Sequence, residues 1–495
     1  MTPPVSQVSP AHQGLLDLID EATLGCGHAR LWALASGGTL LNGMSLMLLG
    51  IAIPLLSARF ALSPAEQGLL GAALVFGSVP GALLGGFAAD RAGRKPVFIA
   101  DMALVALGAA LAAWAQTPLT LAAGLLLVGF GIGVDFPVSG TYVAEWMPVA
   151  SRPRSMVALK GSQAAGMVIG AGAGLALLDA SYTSGVWRLL LGCTGLCAAL
   201  IALARLALQE SPRWLMLHGR NLEAARALAS VLPHLAEHSL RHAQVAGTAR
   251  HVQSLAEPAH AMHARSLLQT PYRRRLALSC LPWLLMDIAT YGVGLFTPVI
   301  LASLGLNDAG ASLIGRDAAA TRGSALVDLA LLAGAVASLY FVPWLGAIRA
   351  QAIGFAGMAC GMVLMLLAIN GDTGLYSLVW ILGGFALYNL AMYAGPNATT
   401  FALPPVLFPT QLRATACGVA SSTAKVGACI GIVFLPMIRE QWGVAAVLIL
   451  AAMISLIGCI LTLWLSGGGI PVRPLEYHQA TDSIDQRAPE YPVAK

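Results

Sequence analysis

A chain of 495 residues that is 57% apolar and only 10% charged falls outside the range of soluble domains, which are about half apolar and a quarter charged. The net charge of +5 follows from where Lys and Arg sit along the chain and calls for no nucleic-acid partner. The eight cysteines lie almost all inside apolar segments, where they read as small packing residues, so no disulfide framework, metal or cofactor is expected.

Residues 1–31 form a predicted cytoplasmic segment without the basic stretch and short apolar core of a cleaved signal, so the first span is expected to direct insertion. Twelve apolar segments follow, each long enough to cross about 30 Å of hydrocarbon as a helix. They cover 32–57, 66–89, 96–115, 119–144, 156–178, 187–208, 276–304, 321–345, 350–369, 374–402, 414–437 and 443–466. Short alternating strands, the mark of a membrane barrel, are not seen. Twelve spans put both termini on one side, which then holds 20 of the 28 Lys and Arg, with five opposite and Lys160, Arg205 and Lys425 inside spans. That side is predicted to be cytoplasmic, in a plasma or bacterial inner membrane.

The polar segment 209–275 divides the spans into a bundle over 32–208 and another over 276–466, with a cytoplasmic tail at 467–495. Glu145-x-x-Pro148-x-x-x-Arg152 after the fourth span and Val406-x-x-Pro409-x-x-x-Arg413 after the tenth share their spacing, which marks an internal repeat. The predicted fold class is an all-α polytopic membrane protein of twelve transmembrane helices in two pseudo-symmetric six-helix bundles. Such an architecture encloses a site near the membrane midplane and works by alternating access.

Taken in chain order, the loop after the second span reads Gly86-x-x-x-Asp90-Arg91-x-Gly93-Arg94-Lys95. Its glycines suit a tight turn and its alternating charges an ion-pair latch. Glu145, Arg152 and Arg413 are placed to add contacts that exist only when the cytoplasmic side is closed. Intramembrane ionisable residues are the sharpest signal, since each costs about 2.5–3.5 kcal/mol at a helix centre on insertion scales. These are Asp135, Asp287 and Lys425, with Asp328 as a further candidate, accompanied by the polar Gln163 and Asn397. Trp283, Asp287 and Tyr291 recur every fourth residue, so a ring, a carboxylate and a phenol share one helix stripe that can bind a polar solute and take up a proton; a core aromatic stripe with a structural Asp is the plainer alternative. In the central segment His234, His238 and His242 would share a helix face, but no fourth ligand accompanies them and a solvated amphipathic linker is the favoured reading. The tail has a disordered composition.

The loop at 86–95 is the signature of the major facilitator superfamily, and the chain is identified as resembling it. "QESPRWL" at 209–215 resembles the motif that follows the sixth span in its sugar porters. "GVDFPVS", "WLLMDIATY", "GPNATTF" and "LFPTQLRATACGVASSTAKVGA" together resemble its phosphate:proton symporter branch. The resemblance implies a central site of Asp135, Phe136, Gln163, Trp283, Asp287, Tyr291, Asn397 and Lys425, with Asp135 and Asp287 coupling to the proton. The sequence departs from that branch where it matters. The first-span acids are replaced in "LLNGMSLM" by Asn42 and Ser45, a tyrosine is replaced by Phe136, a glutamate by Val406, and the second-half loop is reduced to "WLGAIRAQ". These losses suggest a less highly charged or more apolar substrate than phosphate.

The expected function is secondary transport, by proton-coupled symport, of a small anionic solute, either inorganic phosphate or a small organic acid. A sugar or polyol porter is the alternative, and a non-transporting sensor descended from a carrier is the reading from another class. Motifs of intramembrane enzymes are missing from the sequence. The expected partners are substrate, protons and the bilayer, and the expected state is a monomer.

Overall fold

Several helices begin where the sequence supplies a hydroxyl followed by proline. Ser63 accepts from the Glu66 N–H while Glu66 accepts from the Ser63 N–H at 2.8 Å, a reciprocal cap, with Pro64 in the first helical position. Thr117 with Pro118 opens another, and Ser211 with Pro212 a third. The computed structural model describes residues 10–180, 185–233, 264–293, 313–369 and 375–467. His234, His238, His242, the segments 294–304 and 468–495, and the side chain of Asp328 lie outside them.

Among the described residues the secondary structure is helical, with no strand. The helices are α1 (Pro10–Asp20), α2 (Cys26–Phe60), α3 (Pro64–Ala92), α4 (Arg94–Ala113), α5 (Pro118–Trp146), α6 (Arg152–Ala180), α7 (Val186–Arg205), α8 (Pro212–Leu217) and α9 (Asn221–Val231). After a 3-10 turn (Ala264–Leu268) come α10 (Thr270–Val293), α11 (Leu313–Leu345), α12 (Ala347–Ile369), α13 (Leu375–Ala394), α14 (Pro396–Leu407) and α15 (Arg413–Ser466). Eight of the described helices are long and apolar enough to cross a membrane. Their outer faces are apolar, and Trp114 and Trp464 stand exposed at their ends, as does Trp344 at the end of the shorter apolar stretch of α11, as an interfacial aromatic belt requires.

Three expected spans differ from simple separate rods. The tenth is broken at Gly395, because Pro396 disfavours helical backbone in the residue before it, so α13 and α14 are separate and α14 runs on to Leu407. The eleventh and twelfth are joined in α15 through Gly443, whose φ of 79° suits glycine.

In the first half α3 and α4 pack on α5, α6 on α2, and α7 on α4; in the second α15 packs on α10 and α12, and α13 on α11 and α12. The halves meet through α3 with α15, α6 with α11, and α14 with α5 and α6. Small residues set the closest crossings. A Cβ on Gly86 would overlap the Ala414 carbonyl, and one on Gly418 would crowd the Ala82 carbonyl, so α3 and α15 touch backbone to backbone. The repeat read from the sequence recurs in atomic detail: Arg152 Nε donates to the carbonyl five residues back, Met147, at 3.2 Å, and Arg413 Nε does the same to Phe408 at 3.3 Å.

Candidate functional site

One end of the seam between the halves is closed by a charge network. Glu145, fully buried at the end of α5, receives Arg94 through Nε at 3.0 Å and Nη2 at 2.8 Å, and Arg413 through Nη1 at 2.9 Å. Arg94 also donates to the Thr410 carbonyl at 3.2 Å and pairs with Asp90 at 3.2 Å. Asp90 in turn accepts the N–H groups of Ala414 (3.2 Å) and Thr415 (2.7 Å), the unsatisfied donors that open α15. Glu145 to Arg413, Arg94 to Thr410 and Asp90 to α15 all cross from one half to the other. Gly93 makes the turn between α3 and α4 at φ 100°, ψ 163°, a conformation for glycine alone.

The other expected gate residues are placed differently. Arg152, together with Arg213, holds Asp20 at the end of α1, at 2.5 and 2.7 Å. Arg91 is exposed, its guanidinium 4.0 Å from the Phe87 ring centroid. Glu210 of "QESPRWL" also belongs to the latch: its carboxylate accepts the N–H groups of Arg94 (2.9 Å) and Lys95 (3.1 Å) at the start of α4, and Trp214 Nε1 donates to the Asp90 carbonyl at 2.9 Å. Burial pushes the Glu210 carboxyl above its ordinary value, and these backbone N–H groups pull against that. The "QESPRWL" segment therefore braces the latch.

Deeper in the seam, the helix stripe of α10 meets α5, α14 and α15. Phe136, Trp283 and Phe401 pack edge to face with centroids 6.2–6.5 Å apart, a mutual cluster from three helices of both halves. Asp287 Oδ2 lies 3.2 Å from Lys425 Nζ, and the ammonium stands 5.0 Å from the Phe136 centroid. Phe136, Gln163, Tyr291 and Lys425 line a narrow cavity of ≈ 10 Å³ together with Asn42. That volume admits about one water molecule. Of the two first-span residues that replace acids, Asn42 faces this cavity, whereas Ser45 donates back to the Leu41 carbonyl and lines a separate apolar void. Asn397 is buried one turn before Phe401 on α14. A larger groove of ≈ 770 Å³, bounded by α2, α6 and α11, is mostly apolar and contains none of the candidate residues.

Asp135 stands apart from this group. Its carboxylate is 2.7 Å from Arg205 Nη2, while Arg205 Nη1 holds Asp101 at 2.8 Å and the guanidinium stacks 3.6 Å from the Phe98 centroid. One guanidinium thus serves two carboxylates inside the first half, beneath Gly38, where a Cβ would overlap Asp135. Asp101, Arg205, Lys160 and Phe401 are partners that the sequence reading did not assign. Three of them are charges inside spans, a signal used for topology or left aside.

The sequence matches the family described as "Sugar (and other) transporter" over residues 33–466. It is 30% identical over 447 residues to the inner membrane metabolite transport protein YgcS of Escherichia coli, covering 90% of this chain and 93% of that one. It is 27% identical over 400 residues to inorganic phosphate transporter 1-6 of Oryza sativa, covering 72% and 70%. Among solved structures, the fold is similar to the major facilitator superfamily proton:xylose symporter XylE bound to a bromodeoxyglucose, at TM-score 0.73 and 18% identity over 88% of this chain and 95% of that one. The inward-open conformation of XylE from E. coli superposes less closely, at TM-score 0.60 and 17% identity over the same shares.

Proposed function

We propose that this chain, which belongs to the sugar (and other) transporter family of the major facilitator superfamily, is a proton-coupled symporter of a small anionic solute. It is an integral membrane transporter; we place it in a bacterial-type inner membrane with both termini, and the latch, on the cytoplasmic side. The observation that carries the reading is the Lys425–Asp287 pair of the second half, 3.2 Å apart and buried where that half faces the first. A buried pair of this kind is retained at high desolvation cost, and breaking it by protonating the carboxylate releases the ammonium to a solute anion. Proton and anion uptake are then one event.

The remaining groups fit a polar solute. Gln163, Asn397, Trp283 and Tyr291 offer neutral hydrogen bonds, and the ring cluster excludes water. Asp135 and Asp101 on a single guanidinium supply a second place for a proton in the first half. Closure of the latch end, together with the lower similarity to an inward-open relative, supports a state closed to the cytoplasm, one half of an alternating-access cycle.

The test is uptake into proteoliposomes of labelled phosphate, benzoate and xylose, with and without an inward proton gradient, for the wild type and Asp287→Asn. Anion accumulation driven by the gradient is expected, and Asp287→Asn is expected to lose the dependence on the gradient. Gradient-driven uptake of xylose alone would turn the reading to a sugar porter, and no uptake of any solute to a sensor.

A further inference from the structure

Lys160 lies on α6 in the first half, four per cent exposed, and its ammonium donates to Gln163 Oε1 at 2.6 Å. Among the described residues no carboxylate pairs with it. Its charge nonetheless stands beside the ring cluster, 4.9 Å from the Phe136 centroid and 5.9 Å from that of Phe401. Lys425, from the second half, stands 5.0 Å from the same Phe136 ring. Two lysine nitrogens, one from each half, therefore share one phenyl ring in the seam. A buried ammonium without an anion is costly, so the amine sheds its proton unless a ligand supplies the missing charge.

From this arrangement we infer that Lys160 is the second cation of a two-lysine seat, and that the solute is an organic acid carrying two negative charges. The inference rests on the reading of the seam as an anion site and names its substrate class. The charges can be counted from the groups present. Lys160 and Lys425 face one carboxylate, Asp287, and the other nearby acid, Asp135, is held by Arg205 away from them. Asn42 adds no negative charge where it meets the cavity. Once Asp287 takes a proton, two ammonium charges stand free, and a dianion neutralises both whereas a monoanion leaves one bare and a sugar leaves two.

The rest of the wall decides between an inorganic and an organic anion. A phosphate presents oxygen in every direction and needs donors all round, but Phe136 and Phe401 offer only ring carbon and Trp283 mainly so. A carbon body between two carboxylates sets its apolar part on those rings and its ends on the lysines. Because the lysines belong to opposite halves, the empty closed seat suffers repulsion between like charges, which a bridging dianion converts into attraction. Of the two expectations drawn from the missing first-span acids, a less highly charged or a more apolar solute, an organic dianion follows the second.

The test is a tryptophan-fluorescence titration of the purified full chain in nanodiscs with phthalate, benzoate, inorganic phosphate and xylose, for wild type, Lys160→Met and Lys160→Arg. Phthalate is expected to bind the wild type about tenfold or more tighter than benzoate, the value of one added charge-assisted contact. Lys160→Met should bring the two to parity and Lys160→Arg should restore the preference. Equal affinity for phthalate and benzoate in the wild type, a measurement that needs no variant, overturns the two-lysine seat while leaving the anion site standing. A preference that survives Lys160→Met does the same. Binding of xylose alone, or of none of the four, overturns the anion reading and the inference with it.

Discussion

Replacing Glu145 by Gln keeps the shape of the latch and removes its one buried negative charge between two guanidinium groups. In the closed state Arg94 and Arg413 are fully buried, and both converge on that carboxylate at 2.8–3.0 Å. Removing one partner of a buried ion pair costs about 3–5 kcal/mol, because the remaining charge stays dry. In the open state the two arginines are hydrated and lose little, so the penalty falls on closure. At about 1.4 kcal/mol per tenfold, the equilibrium should move toward the open form by about a hundredfold or more. The native Cys417 reports on it directly: it is buried behind the latch and accepts a hydrogen bond across the seam from Thr141 at 3.7 Å. In a background where the other seven cysteines are replaced, maleimide labelling of Cys417 should accelerate markedly in Glu145→Gln and hardly at all in Arg152→Gln, whose partner Asp20 lies on the same half. Unchanged labelling in Glu145→Gln would refute the claim that this carboxylate holds the seam shut.

Gly86→Val should have a similar effect on Cys417 labelling for a steric reason, since its Cβ overlaps the Ala414 carbonyl, and transport should fall with it. Arg205→Met leaves Asp101 and Asp135 buried without a cation, and the unfolding free energy in detergent should drop by about 3–5 kcal/mol, with partial recovery when both acids are also changed to Asn; a wild-type denaturation curve would show that the cluster carries no such load. Gly93→Ala forces a side chain into a glycine-only conformation and against the Glu210 carboxylate, at a cost of about 1–3 kcal/mol in closed-state stability, measurable as faster proteolysis of the loop between α3 and α4.

The spans were legible because apolar length is a strong one-dimensional signal, and the latch because charged residues at fixed spacing have few other uses in a short loop. The α10 stripe was legible for the same reason: a period of four places Trp283, Asp287 and Tyr291 together whatever they meet. What they meet was not. Lys160 shares no motif with Lys425, and only the approach of α6 and α15 to Phe136 makes them a pair. Asp135 shows the converse case. As an intramembrane acid it was grouped with the central site, but a cation on α7, seventy residues away in sequence, binds it inside the first half. The break at Gly395 was hidden inside an unbroken apolar run, where hydropathy is blind to backbone geometry.

The grip of Asp90 on α15 has a consequence for how the two copies of the repeat have been free to differ. Its carboxylate binds the peptide N–H groups of Ala414 and Thr415, so this contact asks for no acid or base at either position, whereas Arg413 just before them has to stay basic to meet Glu145. A lock whose keyhole is main chain is indifferent to substitution on the keyhole side, short of proline. The second-half loop "WLGAIRAQ" can therefore lack acids altogether while the molecule still shuts, because the acids of the lock, Asp90 and Glu145, both lie in the first half and take main chain and Arg413 from the second.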